Sequence, residues 1–418
     1  MTQPMPHPDA PPDQAVAASR RGGAREVLLA FLKLGLTSFG GPIAHLGYFR
    51  AEFVERRRWL DDAAYSDLVA LCQFLPGPAS SQVGMALGLR RAGWAGLCAA
   101  WLGFTLPSAL ALMLFAYGVA GLPGLAGSGA VHGLKVAAVA VVAQAVWGMA
   151  KSLCPDRTRA AMAVGAALLA LGWPGSAGQV AAIAAAGLLG RALLPAPAGS
   201  AGASSPAGIP DARAYPVSPT AGVAALAVFF LLLAGLPLWA ANGPPLATLL
   251  DGFYRAGALV FGGGHVVLPL LQAVVVPGGY VSDADFLAGY GAAQAVPGPL
   301  FTFAAYLGSA AGGPLHGWVG GLVLLVAVFL PAFLLVVGVL PFWDRLRGRA
   351  GVRSALAGIN AGVVGILLAA LYDPVWTSAI GGRADFALAL AAFGLLVYAR
   401  LSPVWVVLLA AAGGWALA

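Results

Sequence analysis

Long apolar segments interrupted by Gly and Pro constrain this chain more than any other feature. They run at 27–48, 64–89, 94–119, 131–150, 159–172 and 177–194, and resume at 220–241, 246–275, 286–312, 317–342, 355–371, 385–398 and 403–417. A helix needs about 20 apolar residues to cross a hydrocarbon core about 30 Å thick. Most of the segments reach that length; 159–172 and 385–398 are short and must tilt little or cross a thin region. Composition agrees: of 418 residues 60% are hydrophobic and 9% charged, against about 25% charged in a soluble domain. Too little charge remains to cover a water-facing surface, which excludes a soluble enzyme, a nucleic-acid binder and a disordered scaffold. The expected fold is an all-α polytopic membrane protein with about thirteen hydrophobic segments.

The chain divides into two halves that repeat each other. Phe31 to Gly35 followed by Phe39-Gly40-Gly41 recurs as Phe253 to Gly257 followed by Phe261-Gly262-Gly263. Gln73 leading to Pro76-Gly77-Pro78 recurs as Gln294 leading to Pro297-Gly298-Pro299. Gly93-Trp94 with Pro107 recurs as Gly317-Trp318 with Pro331, and Gly133-Leu134-Lys135 as Gly358-Ile359-Asn360. Chance does not keep such motifs in register over so long a span, so the halves are a duplication. The boundaries follow: a disordered cytoplasmic tail at 1–24, a first repeat at 25–194, a flexible linker at 195–219, an extra transmembrane helix at 220–245 and a second repeat at 246–418. The tail holds no apolar run and is no signal peptide. Cys72, Cys98 and Cys154 have no metal-like spacing and read as small core residues.

Charge orients the halves. The net charge of +7 reads as Lys and Arg retained in cytoplasmic loops. The motif loops of the first half carry Arg50, Arg56, Arg57, Arg58, Arg90 and Arg91, whereas no Lys or Arg lies between Arg255 and Arg345. The repeats are therefore expected to be inverted, with the helix at 220–245 supplying the odd crossing. If 27–48 crossed fully, Arg56-Arg57-Arg58 would fall outside. Segments that enter and return keep every basic loop cytoplasmic, and Gly40-Gly41-Pro42 and Pro76-Gly77-Pro78 sit where they would break. Four broken or re-entrant segments and nine crossing helices result.

Inverted repeats with broken helices point to a transporter site near the midplane. A half-helix exposes unpaired N–H groups at its start and attracts anions without any particular side chain. The expected binding set is therefore Gly40, Gly41, Gln73, Gly77, Ser80 and Ser81 in the first repeat, with Gly262, Gly263, His265, Gln294, Gly298 and Thr302 in the second. Pro42, Pro76, Pro78, Pro297 and Pro299 make the breaks. Lys33 and Arg255 occupy equivalent positions inside their segments; they read either as an anion-attracting pair or as snorkelling side chains. Lys135 lies between apolar runs, but its counterpart Asn360 is uncharged. His45 and His265 read either as proton carriers or as hydrogen-bonded packing residues. His132 and His316 fall near loop boundaries, Trp59, Trp94 and Trp318 beside polar loops suit interfacial anchors, and Gly84-x-x-x-Gly88 and Gly358-x-x-x-Gly362 mark close helix packing.

No phosphate-binding G-x-x-x-x-G-K-[ST] loop, H-E-x-x-H, Cys/His cluster or G-x-S-x-G elbow occurs, so an enzyme is disfavoured and no metal or other cofactor is expected. Phe39 to Pro42, Gln73 to Pro78, Gly93-Trp94 and Leu106-Pro107 resemble the first domain of the chromate ion transporter family. Phe261 to Pro269 and Gly289 to Phe303 resemble its second. The resemblance implies a two-domain bacterial inner-membrane protein that exports chromate and confers chromate resistance. Sulfate, of the same shape and charge, would be the natural competitor. Many family members carry a polar residue after the first Pro-Gly-Pro and an acid three positions later. Ala79 and Gln82 stand there in this chain, which puts carboxylate-based proton coupling at that point in doubt. Expected partners are the anion, the bilayer and a second copy in a homodimer, with no nucleic acid. A sulfate or other oxyanion transporter, a passive anion channel and a non-transporting scaffold are the alternatives.

Overall fold

A computed structural model describes residues 22–39, 41–121, 129–195, 215–261, 264–343 and 349–417. The expected tail and most of the expected linker lie outside them, as do Gly40, Gly262 and Gly263. Among the described residues all regular structure is helical, and five helices are long and apolar enough to cross a membrane.

The first repeat opens with two hairpins. Helix α1 (Ala24–Thr37) has 14 residues and reaches only about 21 Å at about 1.5 Å per residue, short of a bilayer. After the break, α2 (Gly41–Phe49) runs into a π-helical stretch, Arg50–Arg56, and returns along α1. Phe31 stacks on Phe53 with ring centroids 4.8 Å apart and meets Phe49 edge-on at 5.4 Å. Arg57 lies 3.7 Å from Glu26, so the two ends of the hairpin sit together. Helix α3 (Asp62–Phe74) starts at Asp61, whose carboxylate accepts the Ala64 N–H at 2.8 Å, one of the orphan donors of a helix start. It stops at extended Leu75 before Pro76-Gly77-Pro78. Helix α4 (Ala79–Gly121) bends sharply at Ala92-Gly93, where Gly93 takes φ +63. Its first arm, 79–91, brings Arg91 back to within 3.2 Å of Glu26. Both hairpins therefore open on one side of the molecule, and the arginine-rich loops with them.

Helices α5 (Gly129–Leu153), α6 (Arg157–Gly172) and α7 (Ser176–Leu193) complete the first repeat, and α8 (Pro219–Asn242) precedes the second. The hairpins then recur. Helix α9 (Pro245–Leu259) is followed by a 3-10 turn at Gly264–Val266 and α10 (Val267–Val275). The Tyr280 hydroxyl donates to the Pro245 carbonyl at 3.4 Å, which closes this hairpin. Helix α11 (Asp283–Ala295) leads through the second Pro-Gly-Pro to a 3-10 turn at Leu300–Thr302 and α12 (Phe303–Ala310). Beyond α12 the Gly312 N–H donates to the Tyr280 carbonyl at 2.9 Å. Helices α13 (Gly317–Val339), α14 (Ala350–Ala370), α15 (Arg383–Val397) and α16 (Pro403–Leu417) follow. Gly317 repeats the Gly93 bend at φ +62.

The repeats interlock. Helix α5 packs on α15 and α16, and its counterpart α14 packs on α6 and α7. At the crossings Gly133 meets the Ala410 backbone and Gly414, while Gly358 meets the Ala186 backbone and Gly190. Neither Gly133 nor Gly358 has room for a Cβ. Lipid tails are as apolar as the helices, so close approach through small residues holds such crossings together. Gly84 packs on Phe31, Gly88 on Gly96 and Gly362 on Ala186, as the small-residue spacings predict. Cys72 is buried, whereas Cys98, expected in the core, is exposed: it falls on the outward side of the long α4 arm, whose apolar surface runs right round. Trp94 and Trp318 are largely exposed beside the two bends.

Candidate functional site

The broken segments converge on one junction, and each repeat completes the other. The Gly77 N–H donates to the Val260 carbonyl at 2.6 Å, and the Gly298 N–H donates to the Ser38 carbonyl at 2.9 Å. Val260 and Ser38 are equivalent residues, each just before a Phe-Gly-Gly break. Gly264 adds the remaining contact, lying against Pro42 and Leu300. Non-helical backbone at membrane depth must find its hydrogen bonds inside the protein. Here the partner of each break is the break of the other repeat.

Both Pro-Gly-Pro turns need glycine. Gly77 takes φ +116 and Gly298 φ +102, and Gly41 takes φ +80, a region closed to residues with a Cβ. The carbonyl preceding each glycine is satisfied differently. Gln82 Nε2 donates to the Pro76 carbonyl at 2.8 Å, whereas the Ser108 hydroxyl donates to the Pro297 carbonyl at 2.6 Å. After the first turn, the helix begins with the Gln82 N–H bonded to the Pro78 carbonyl at 2.9 Å. The amides of Ala79, Ser80 and Ser81 precede that bond and are the orphan donors of a helix start. In the second repeat, the Thr302 amide and hydroxyl both donate to the Pro299 carbonyl, at 3.0 and 2.7 Å.

Polar side chains gather on the first-repeat side. His45 Nδ1 lies 3.3 Å from the Ser80 hydroxyl, and the ring meets Phe104 edge-on at 5.2 Å. Ser38 Oγ, His45 Nε2, Ser81 Oγ, Gln82 Oε1, Trp101 Nε1 and Thr105 Oγ1 are buried without a hydrogen-bond partner among the described residues. Leaving such a group unpaired costs about 1–3 kcal/mol, so those beside the breaks, Ser38, His45, Ser81 and Gln82, are a functional signal. In the second repeat, His265 Nδ1 is 2.6 Å from the Tyr290 hydroxyl, and Gln294 Nε2 is buried without a partner.

The residues singled out in the sequence divide accordingly. Gly77, Ser80, Ser81, His265, Gly298, Thr302 and the five prolines belong to the break segments. Gln294 is half-buried one turn before its break, with its Nε2 enclosed, but its counterpart Gln73 is exposed. Lys33 is half exposed and pairs with Glu52 at 3.6 Å; Glu52 also accepts from Arg56 and Arg57 at 2.8 and 2.7 Å. Arg255 pairs with Asp251 beside a cavity of about 320 Å³ that extends toward Pro277 and Gly278, at the hairpin turn. Arg255 is thus paired one to one with a carboxylate, whereas Lys33 shares the single Glu52 carboxylate with two arginines. Lys135, partly buried on α5, makes no ion pair among the described residues. Ser38, Trp101, Thr105, Ser108 and Tyr290 join the expected residues only in the folded chain. Trp101, Thr105 and Ser108 recur at helical spacing in an otherwise apolar segment, a stripe that could have been read.

The chromate transporter family model matches residues 25–191 and again 247–415, the two halves of the duplication. A chromate transport protein of Pseudomonas aeruginosa is 31% identical, the alignment covering 93% of this chain and 91% of the relative. One of Cupriavidus metallidurans is 26% identical over 86% of each, and a probable chromate transport protein of Synechococcus elongatus 26% over 82% of each. No solved structure matches. With two matched repeats and relatives of nearly its full length, the chain belongs to the chromate transporter family.

Proposed function

We propose that this protein is a secondary transporter that exports chromate across the bacterial inner membrane and thereby gives chromate resistance. The reciprocal hydrogen bonds of Gly77 with Val260 and of Gly298 with Ser38 carry the reading. They couple the breaks of one repeat to those of the other, so rocking one repeat against the other opens the junction to either side in turn. Chromate is a tetrahedral dianion, suited to helix-start amides and hydroxyls and in need of no cofactor. Sulfate competes for the same donors.

The repeats are inverted in this reading. The hairpins of the first enter from the cytoplasm and return to it, with the tail, the linker and the arginine-rich loops on that side. Those of the second enter from the opposite face. Pairing of two copies as a homodimer is compatible with this arrangement. The meeting of Glu26 with Arg57 and Arg91 at the hairpin mouth supports re-entry. A single cysteine placed at position 57 should label from the cytoplasmic side alone; labelling only from outside would remove the re-entrant topology. Energised everted vesicles should accumulate chromate, with sulfate competing. Uptake no greater than in empty-vector vesicles would refute export, and flux that merely follows the gradient without coupling would mark a channel.

A further inference from the structure

Aligning the repeats by their motifs shows that most of the buried polar groups beside the breaks come from the first repeat, the second keeping Thr302, Gln294 and the His265–Tyr290 pair. Ser38 corresponds to Val260, His45 to Val267, Ser80 to Phe301, Gln82 to Phe303, Thr105 to Phe329 and Ser108 to Ala332; only Ser81 finds a hydroxyl partner, Thr302. Ser38, His45, Ser80, Ser81 and Thr105 are at most 3% exposed. Protein interiors avoid buried polar atoms without partners, and four of these five residues keep one.

These groups are next to the coupled breaks. Ser38 supplies the carbonyl that accepts the Gly298 N–H. His45 meets the Phe104 ring edge-on, and the Phe104 backbone flanks Gly298. Thr105 follows Phe104 directly, one turn before Ser108, which holds the Pro297 carbonyl. The available chemistry is neutral: three hydroxyls and an imidazole, with Lys33 and Arg255 engaged by Glu52 and Asp251. A hydroxyl or imidazole N–H donates to an oxyanion without carrying charge, and donors preorganised away from water bind an anion strongly.

We infer that the transported oxyanion is gripped on the first-repeat side alone, by His45 Nε2–H and the hydroxyls of Ser38, Ser81 and Thr105. Ser80 is a positioning residue: by engaging Nδ1 it orients the ring and leaves Nε2 as the donor. Val260, Val267 and Phe329 form the opposing apolar wall. His45 acts as a neutral donor and carries no proton in the cycle. This inference rests on the transport reading above, which names the junction but not its asymmetry.

The test measures chromate KM and Vmax in everted vesicles, together with equilibrium binding of radiolabelled chromate to the full-length protein purified in detergent. His45→Leu should raise KM and Kd about tenfold or more, the effect of losing a hydrogen bond to a charged group, with little change in Vmax. His45→Gln, which keeps an N–H donor, should stay within about threefold of wild type. Ser80→Ala should weaken binding and Ser80→Thr restore it, a rescue that a purely packing role would not give. If His45→Leu fails to fold, Ser38→Ala and Thr105→Val carry the same expected rise. Unchanged KM and Kd in these variants would overturn the inference while wild-type uptake leaves the transport reading intact. A His45→Gln protein that binds chromate normally but cannot transport would overturn it too, in favour of a proton-carrying His45. Wild-type protein that binds chromate through His45 without vesicle uptake would refute export and retain the site.

Discussion

The first and second repeats share a backbone and differ in what lines it. Gly77 and Gly298 take nearly the same positive φ, Gly93 and Gly317 make the same bend, and the Gly133 and Gly358 crossings mirror each other. Yet the carbonyl before the first Pro-Gly-Pro glycine is held by Gln82 from its own repeat, while the equivalent carbonyl in the second is held by Ser108 from the other. The equivalent cations diverge in the same way: Lys33 meets a carboxylate from the returning hairpin arm, whereas Arg255 meets Asp251 on its own helix. Backbone geometry has been kept because each repeat is the other's hydrogen-bonding partner, and a change in one break would orphan the other. Side chains escape that reciprocity, which left one side free to become the polar lining.

Mutations can test where the equivalence ends. The largest effects are expected at the crossings, where Gly133→Ala and Gly358→Ala each force a Cβ against backbone. Each should cost about 3 kcal/mol, equally, in detergent thermal melts; a clear inequality would mean that the crossings are not equivalent. At the cations the two repeats should part. Glu52→Gln leaves Lys33, Arg56 and Arg57 facing one buried neutral amide and should cost about 2 kcal/mol, reduced from the fully buried case because two of the three cations are more than half exposed. Asp251→Asn, which strands one cation, Arg255, a quarter exposed beside a cavity, should cost about 1 kcal/mol. At the turns both glycines take an unfavourable φ, but a Cβ at Gly298 also meets the Ser108 hydroxyl and the Phe104 carbonyl, whereas one at Gly77 meets the movable Gln82 amide and, in ordinary contact, Ala332. The first should cost about 2 kcal/mol and the second about 1, and the reverse order would contradict the local geometry. The smallest effects belong to the carbonyl donors: Ser108→Ala and Gln82→Leu should each lose about 1 kcal/mol. A double-mutant cycle should show them additive if the two carbonyls are satisfied independently.

Much of the helical layout was readable in advance. Every apolar segment corresponds to a helix or a broken pair of helices, and the breaks fall at the Gly and Pro runs because those residues alone tolerate such backbone. The short segments are short helices, Arg157–Gly172 and Arg383–Val397. The site was read less completely. Expectation fell on residues with obvious chemistry, Lys33 and Arg255, and the fold ties both to carboxylates. Ser38, Thr105 and Ser108 looked like ordinary small residues of an apolar helix, since nothing local marks a hydroxyl as buried beside a break. Gln73 and Gln294 share a motif but not an environment, the first exposed and the second half-buried.

What the amino-acid sequence determined by itself is local: which stretches belong in a bilayer, where they must break and that they were duplicated. Apolar length, backbone freedom at Gly and Pro, and the register of repeated motifs act over a few residues and need no partner. What only the tertiary structure decided is reciprocal: that Gly77 bonds to Val260 and Gly298 to Ser38, that Lys33 and Arg255 are held by carboxylates, and that most of the buried polar groups beside the breaks come from the first repeat. Those outcomes depend on hydrogen bonds and ion pairs between residues far apart in the chain, and a buried polar group takes its partner from whatever the fold brings beside it.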